Sequence, residues 1–160
     1  MSEPRIVIVG FPSAQILDIT GPLEVFSTAS RFLTIPRYAT RLVSADGGPV
    51  VSTSGLEFAT EPIEQVDGPL DTLVVSGGRD MEQAAADTKL VGNIRRLAGQ
   101  SRRVTSVCSG AFLLAAAGLL DGRRATVTAA LRPWSSATRA SARSIPAVTP
   151  AEVQTLPSCT

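Results

Sequence analysis

The sequence predicts a single α/β sandwich built on a mainly parallel sheet, and three observations carry that prediction. Arg5-Ile6-Val7-Ile8-Val9-Gly10 and Leu73-Val74-Val75-Ser76 followed by Gly77-Gly78 are continuous apolar runs closed by glycine, the pattern of strands buried on both faces. Segments of helical period alternate with these runs, which argues for right-handed crossovers in one sheet. The chain has 160 residues, 44% of them hydrophobic, enough for one domain with a sizeable core.

Each element follows in order. Arg5 to Gly10 is the first strand. Gly21-Pro22 places a proline at a first helical position, and Leu23, Phe26, Ala29 and Leu33 recur at helical spacing, so a helix is expected from about Pro22 to Leu33. Tyr38 to Ala45 reads as a second strand ended by Asp46-Gly47-Gly48, and Val50 to Thr60 as a short hairpin before Asp67-Gly68-Pro69. After the Leu73 strand, Asp80 to Leu97 turns helical in two pieces, with Leu90, Val91, Ile94 and Leu97 forming one apolar stripe. Arg103 to Val107 is a further strand, and Ser109 to Leu120 a helix ended by Asp121-Gly122.

The remainder breaks this rhythm. Residues 126 to 160 hold 7 Ala, 6 Thr, 5 Ser and 4 Pro, with no sustained period, and all 13 glycines precede them. Such composition buries too little apolar surface to offset its ordering entropy. We therefore expect residues 1–126 to be an incomplete α/β domain and 127–160 an irregular tail, mobile as written or the product of a shifted reading frame.

Composition also excludes functions. The net charge is +1, so no global field draws this chain to nucleic acid or an anionic membrane. The longest apolar run, Ala111 to Leu120, is short of the roughly 20 residues of a spanning helix, and Met1-Ser2-Glu3-Pro4 has no signal-peptide pattern. A soluble cytoplasmic protein is expected. The histidine count is zero, which removes Cys-His and Ser-His-Asp mechanisms within the chain. Cys108 and Cys159 match neither a disulfide framework nor a zinc spacing. Without G-x-x-x-x-G-K-[ST] or a strand-linked G-x-G-x-x-G, no nucleotide is called for. We expect no cofactor and no metal.

Candidate chemistry gathers where strands end, the place where ligands sit in open α/β sheets. Ser106-Val107-Cys108-Ser109-Gly110 has the small-residue spacing of a nucleophile elbow with Cys in the place of Ser. The following helix N-terminus favours thiolate; the alternative is a small residue at a strand end. Gly77-Gly78 can offer backbone N–H groups to an oxyanion with the Ser109 N–H as a second donor, or can be a tight turn needing positive φ. Asp18 and Glu24 stand at the entry of the first helix, where one can share a proton with Cys108; alternatively Asp18 or Thr20 caps that helix and Glu24 complements its dipole.

Three segments carry a family resemblance: Ile16-Leu17-Asp18-Ile19-Thr20-Gly21-Pro22-Leu23-Glu24-Val25-Phe26, Val75-Ser76-Gly77-Gly78, and Val107-Cys108-Ser109-Gly110-Ala111-Phe112-Leu113-Leu114-Ala115. Together they resemble the ThiJ/PfpI superfamily, with its class I glutamine amidotransferase-like fold. Ala116 to Thr126 adds a run similar to the N-terminal, amidase-like domain of GlxA-type regulators of the AraC family, and isonitrile hydratases share the Leu-Asp-x-x-Gly-Pro and Val-Cys-x-Gly segments. The resemblance implies a three-layer, flavodoxin-like sandwich. It places Cys108 at the nucleophile, Asp18 as the acid that hydrogen-bonds it, and Gly78 with Ser109 at the oxyanion region; Gly77 and Glu24 are grouped with this ligand-binding set. Ser109 stands where superfamily proteases carry His, which argues against proteolysis. The implied function is a ligand-sensing regulator domain without its DNA-binding part, and the alternative is a cysteine-dependent hydratase or amidase. Expected partners are a small-molecule ligand and a second copy in a homodimer, with no DNA bound by this chain alone and no membrane.

Overall fold

A computed structural model describes residues 3–32 and 37–125, together with the backbone of residues 143–144. Six strands form the main sheet: β1 (Arg5–Val9), β2 (Ala39–Ser44), β3 (Gly48–Val51), β4 (Glu57–Pro62), β5 (Leu70–Val75) and β6 (Ser101–Ser106). Their order is β3-β4-β2-β1-β5-β6. Only β3 runs antiparallel to its neighbour. β1 is central, with Val7 facing Arg41 on β2 and Leu73 on β5. Ile6, Val7, Ile8 and Val9 are all fully buried, the reason for that unbroken apolar run.

From β1 the chain crosses to β2 on one side, through α1 (Ile16–Phe32); from β5 it crosses to β6 on the other, through α2 (Met81–Ala86) and α3 (Thr88–Ala98). Right-handed crossovers in opposite directions put α1 and α3 on opposite faces of the sheet. α4 (Ala111–Ala116) packs with α2 and α3, completing the three-layer, flavodoxin-like sandwich. The carboxyl ends of β1 and β5 therefore flank the crevice where the winding reverses.

The helices show how sequence and packing agree. Asp87 caps α3, its Oδ1 accepting from the Leu90 amide at 2.9 Å. Leu90, Ile94 and Leu97 are buried beneath it, each worth about 1.5–3 kcal/mol of burial. α4 ends sooner than the Ala/Leu run suggested. Gly118 adopts φ +71°; its amide donates to Ala115 O at 2.8 Å and that of Leu119 to Leu114 O at 2.9 Å, a Schellman stop that glycine permits.

α1 begins six residues earlier than the proline signal indicated, so Pro22 lies inside the helix and leaves the Asp18 carbonyl without its usual i+4 donor. Leu33, the expected helix end, lies outside the described residues. Only Asp18 and Ile19 of α1 are buried. Leu17, Val25 and Phe32 are exposed. Arg124–Ala125 (β7) and Arg143–Ser144 (β8) pair in parallel as a separate two-residue ladder. The expected tail at 127–160 otherwise lies outside the described residues. Among the described residues no helix is long and apolar enough to cross a membrane.

Candidate functional site

Two loops build the crevice floor, and main-chain hydrogen bonds tie them together. The loop after β1 and the loop after β5 meet in an isolated antiparallel bridge, Ala14 with Gly78. The Gln15 amide donates to Gly77 O at 2.8 Å and the Arg79 amide to Ser13 O at 3.1 Å. A second clasp comes from the β3–β4 hairpin, where the Ser13 amide reaches Val51 O and the Thr53 amide reaches Ala14 O. Buried Ser76 adds a third, its hydroxyl donating to Val9 O at 2.7 Å.

Gly77 and Gly78 are required here for space. Neither has positive φ, which corrects the expectation of a turn that demands it. A Cβ on Gly77 would lie 2.7 Å from the Ser109 nitrogen and 2.8 Å from Asp18 Oδ2; one on Gly78 would lie 2.6 Å from Ser13 O. Gly110 is the third close approach, its Cβ position being 2.3 Å from Val75 O. The turn of Cys108–Gly110 is thereby pressed onto the end of β5.

That turn holds Cys108 at φ +53°, a region bulky L-residues adopt at a cost of about 1–3 kcal/mol. Cys108 is exposed while its neighbour Ser109 is buried. The elbow reading of the sequence thus has the backbone geometry that such a turn needs, and the alternative of a buried strand-end cysteine does not fit.

Asp18 is brought to Cys108 across 90 residues of sequence. Its side chain is 8% exposed. Oδ2 accepts from the Gly77 amide at 3.1 Å, and the Cys108 thiol is close enough to pull on the carboxyl's titration. Burial raises its pKa above the ordinary 3.8, against the lowering pull of Gly77 and Cys108. Asp18 therefore retains its proton to higher pH than a free carboxyl and can exchange it with the thiol. It does not cap α1. Thr20 does not either, since its hydroxyl donates back to Ile16 O at 3.0 Å.

Ser109 behaves differently from the expectation placed on it. Its hydroxyl accepts from the Gly78 amide at 3.0 Å and donates to Gly78 O at 3.1 Å. The Gly78 N–H that was expected to face an oxyanion is thus paired internally. Sequence reasoning considered only the Ser109 N–H and missed this side-chain role. Glu24 is not part of the cluster: six residues beyond Asp18 on α1, it is exposed and its Oε1 accepts from the Thr28 hydroxyl at 2.9 Å. Cys108, Asp18, Gly77, Gly78 and Ser109 converge; Glu24 stays on the helix surface.

A protein-family model for the DJ-1/PfpI family matches residues 4–155. The chain belongs to the DJ-1/PfpI family. This DJ-1/PfpI chain is 43% identical over 122 residues to the "Uncharacterized protein in cpoL 5'region" of Streptomyces lividans, covering 76% of this chain and 85% of that one. It is 39% identical to the isonitrile hydratase of Pseudomonas putida over 72% of its length and 48% of that enzyme. It is 35% identical to the HTH-type transcriptional regulator GlxA of Rhizobium meliloti over 70% of its length, yet only 35% of that regulator. A solved ThiJ/PfpI family protein from Pseudomonas syringae superposes with a TM-score of 0.71 at 29% identity, covering 79% of this chain and 51% of that one. The chain thus spans most of the Streptomyces protein, about half of the hydratase and a third of the regulator.

Proposed function

We propose that this chain is the ligand-sensing domain of a GlxA-type, AraC-family regulator, with a small molecule seated at Cys108. One observation carries the choice of sensing over turnover. Both amides of the Gly77-Gly78 loop already donate to side chains of the protein, Gly77 to Asp18 and Gly78 to Ser109, so neither stands preorganised toward charge developing on a bound molecule, and Gly78 becomes available only when Ser109 moves. The 35% identity to GlxA and the 32% identity to the regulator CdhR of Pseudomonas aeruginosa support the same reading.

A second reading has its own support in the strained, exposed Cys108 and in the Asp18 carboxyl, whose titration the thiol influences. In that reading the Cys108 sulfur attacks an isonitrile carbon while Asp18 delivers a proton to the same carbon. Water then adds, the carbon–sulfur bond breaks, and an N-substituted formamide leaves with the thiol restored. Incubating the full chain with cyclohexyl isonitrile and quantifying the formamide separates the two. Sensing predicts no more product than Cys108→Ala gives, with the compound slowing alkylation of Cys108. Turnover that disappears in both Cys108→Ala and Asp18→Asn would replace the sensor with an enzyme.

A further inference from the structure

Gly78 offers an unusual recognition element. The bridge to Ala14 is made by the flanking Gly77 carbonyl and Arg79 amide, so the N–H and C=O of Gly78 itself turn the other way. A single atom, Ser109 Oγ, pairs with both, at 3.0 and 3.1 Å. Ser109 is 1% exposed, whereas Gly78 is half-buried and Cys108, next to Ser109 in the chain, is exposed. The residue that follows the exposed cysteine thus occupies this backbone donor–acceptor pair with one small hydroxyl.

We infer that Ser109 Oγ is an internal stand-in for the ligand, and that the ligand is recognised through a neutral group that accepts and donates at once, an amide or alcohol rather than a carboxylate. The chemistry follows from the pair. A carboxylate accepts only, so its oxygen would satisfy the Gly78 N–H while facing the Gly78 carbonyl without a proton between them. A hydroxyl or a primary amide supplies both partners, as Ser109 does. The buried Asp18 carboxyl, bonded to the adjacent Gly77 amide, adds a second acceptor beside the pair and disfavours an anion further. The residue after the cysteine thus sets ligand chemistry as well as access: Ser109 must swing away before the Gly78 pair can bind, and that displacement gates the site.

This inference rests on the reading of Cys108 as a ligand site, and the test separates their failures. The rate at which methyl methanethiosulfonate modifies Cys108 in the full chain is followed by mass spectrometry of the Cys108 peptide, in the presence of acetamide or its isostere acetate. Wild type is expected to be protected at lower acetamide than acetate concentration. Ser109→Ala removes the stand-in and should lower the half-protecting acetamide concentration about tenfold, the worth of one net hydrogen bond, with acetate unchanged. Ser109→Thr keeps the hydroxyl and should behave as wild type. Acetate protecting as well as acetamide, which recruitment of the anion by exposed Arg79 would produce, overturns the inference but leaves the site standing. Equal acetamide protection of wild type and Ser109→Ala, with circular dichroism showing both folded, overturns it as well. If Ser109→Ala does not fold, the wild-type preference between the two probes decides. If neither probe slows modification in any folded form, the ligand-site reading falls and takes the inference with it.

Discussion

Gly110→Ala puts one methyl group where the cysteine turn meets the end of β5. Gly110 has φ −58° and ψ −21°, values alanine adopts freely, so any effect is one of space. The added Cβ would sit 2.3 Å from Val75 O, 2.7 Å from Ser76 O and 3.0 Å from the Ser76 carbonyl carbon. All three are backbone atoms of the strand end, and none can rotate aside. Overpacking of this kind costs 1–3 kcal/mol, and with no flexible partner we place Gly110→Ala at the upper end, about 3 kcal/mol. For a chain of this size that is a fall of roughly 10 °C in melting temperature. Gly92→Ala is the matched control: in the middle of α3 with nothing within 4 Å of its Cβ position, it should stabilise by about 0.5–1 kcal/mol. Urea melts of both variants at constant m-value measure the pair. A Gly110→Ala midpoint within about 0.5 kcal/mol of wild type would refute the claim that this turn is pinned by backbone contact.

Other expected outcomes follow from the same contacts. Asp18 keeps its proton longer in the folded state, so its contribution to stability is full below 3.8 and is lost as pH rises through its higher folded value. Asp18→Asn should be at least as stable as wild type at pH 7; a wild-type chain that gains on the variant across that range in urea melts would reverse the sign. Asp71 is the opposite case: burial pushes it up, but Thr72, Arg102 and Arg103 outweigh that and hold it below 3.8. Its contribution is present at neutral pH and lost as pH falls below 3.8, and Asp71→Asn should cost about 1 kcal/mol at pH 7 in the same melts. Cys108→Gly should be about 1 kcal/mol more stable than Cys108→Ala, since only glycine occupies φ +53° without strain; equal melting temperatures would deny the strain. If the tail comes from a shifted frame, translating the nucleotides after codon 126 in the other two frames should yield renewed strand and helix periodicity, and two aperiodic frames would end the frameshift account.

Fold and site were legible to different depths. β1, β5 and the α3 stripe were readable because their burial is one-dimensional: an unbroken β-branched run or an i, i+4, i+7 spacing states its environment directly. The start of α1 was not, because proline at a first helical position and proline within a helix leave the same local sequence. The packing that extends the helix back to Ile16 comes from Asp18 and Ile19 finding partners elsewhere in the chain. The end of α4 was set by Gly118, a glycine inside an apolar run whose left-handed φ only the chain path reveals. At the site, strand-end placement pointed to Cys108, and the family resemblance, rather than the local sequence, paired it with Asp18. The role of Ser109 Oγ was not legible, since which polar atom of a small residue turns to a backbone amide is decided by rotamer and by contacts across 31 residues. Glu24 was misplaced for a simpler reason: proximity in sequence to Asp18 does not put it on the same side of a helix.

The clasp between the loops after β1 and β5 has a bearing on how such a site can change over generations. Its hydrogen bonds join the backbones of Ser13, Ala14, Gln15, Val51, Thr53, Gly77 and Arg79, atoms that every amino acid except proline supplies in full. The side chain at Arg79 is thus free to drift without loosening the frame, the Thr53 hydroxyl adds one side-chain tie by donating to Gln15 Oε1 at 2.8 Å, and glycine is fixed at 77 and 78 by the absence of room. New ligand preferences can be acquired by altering a few exposed residues around an unaltered scaffold, and the record of that history should read as variable positions alternating with invariant glycines.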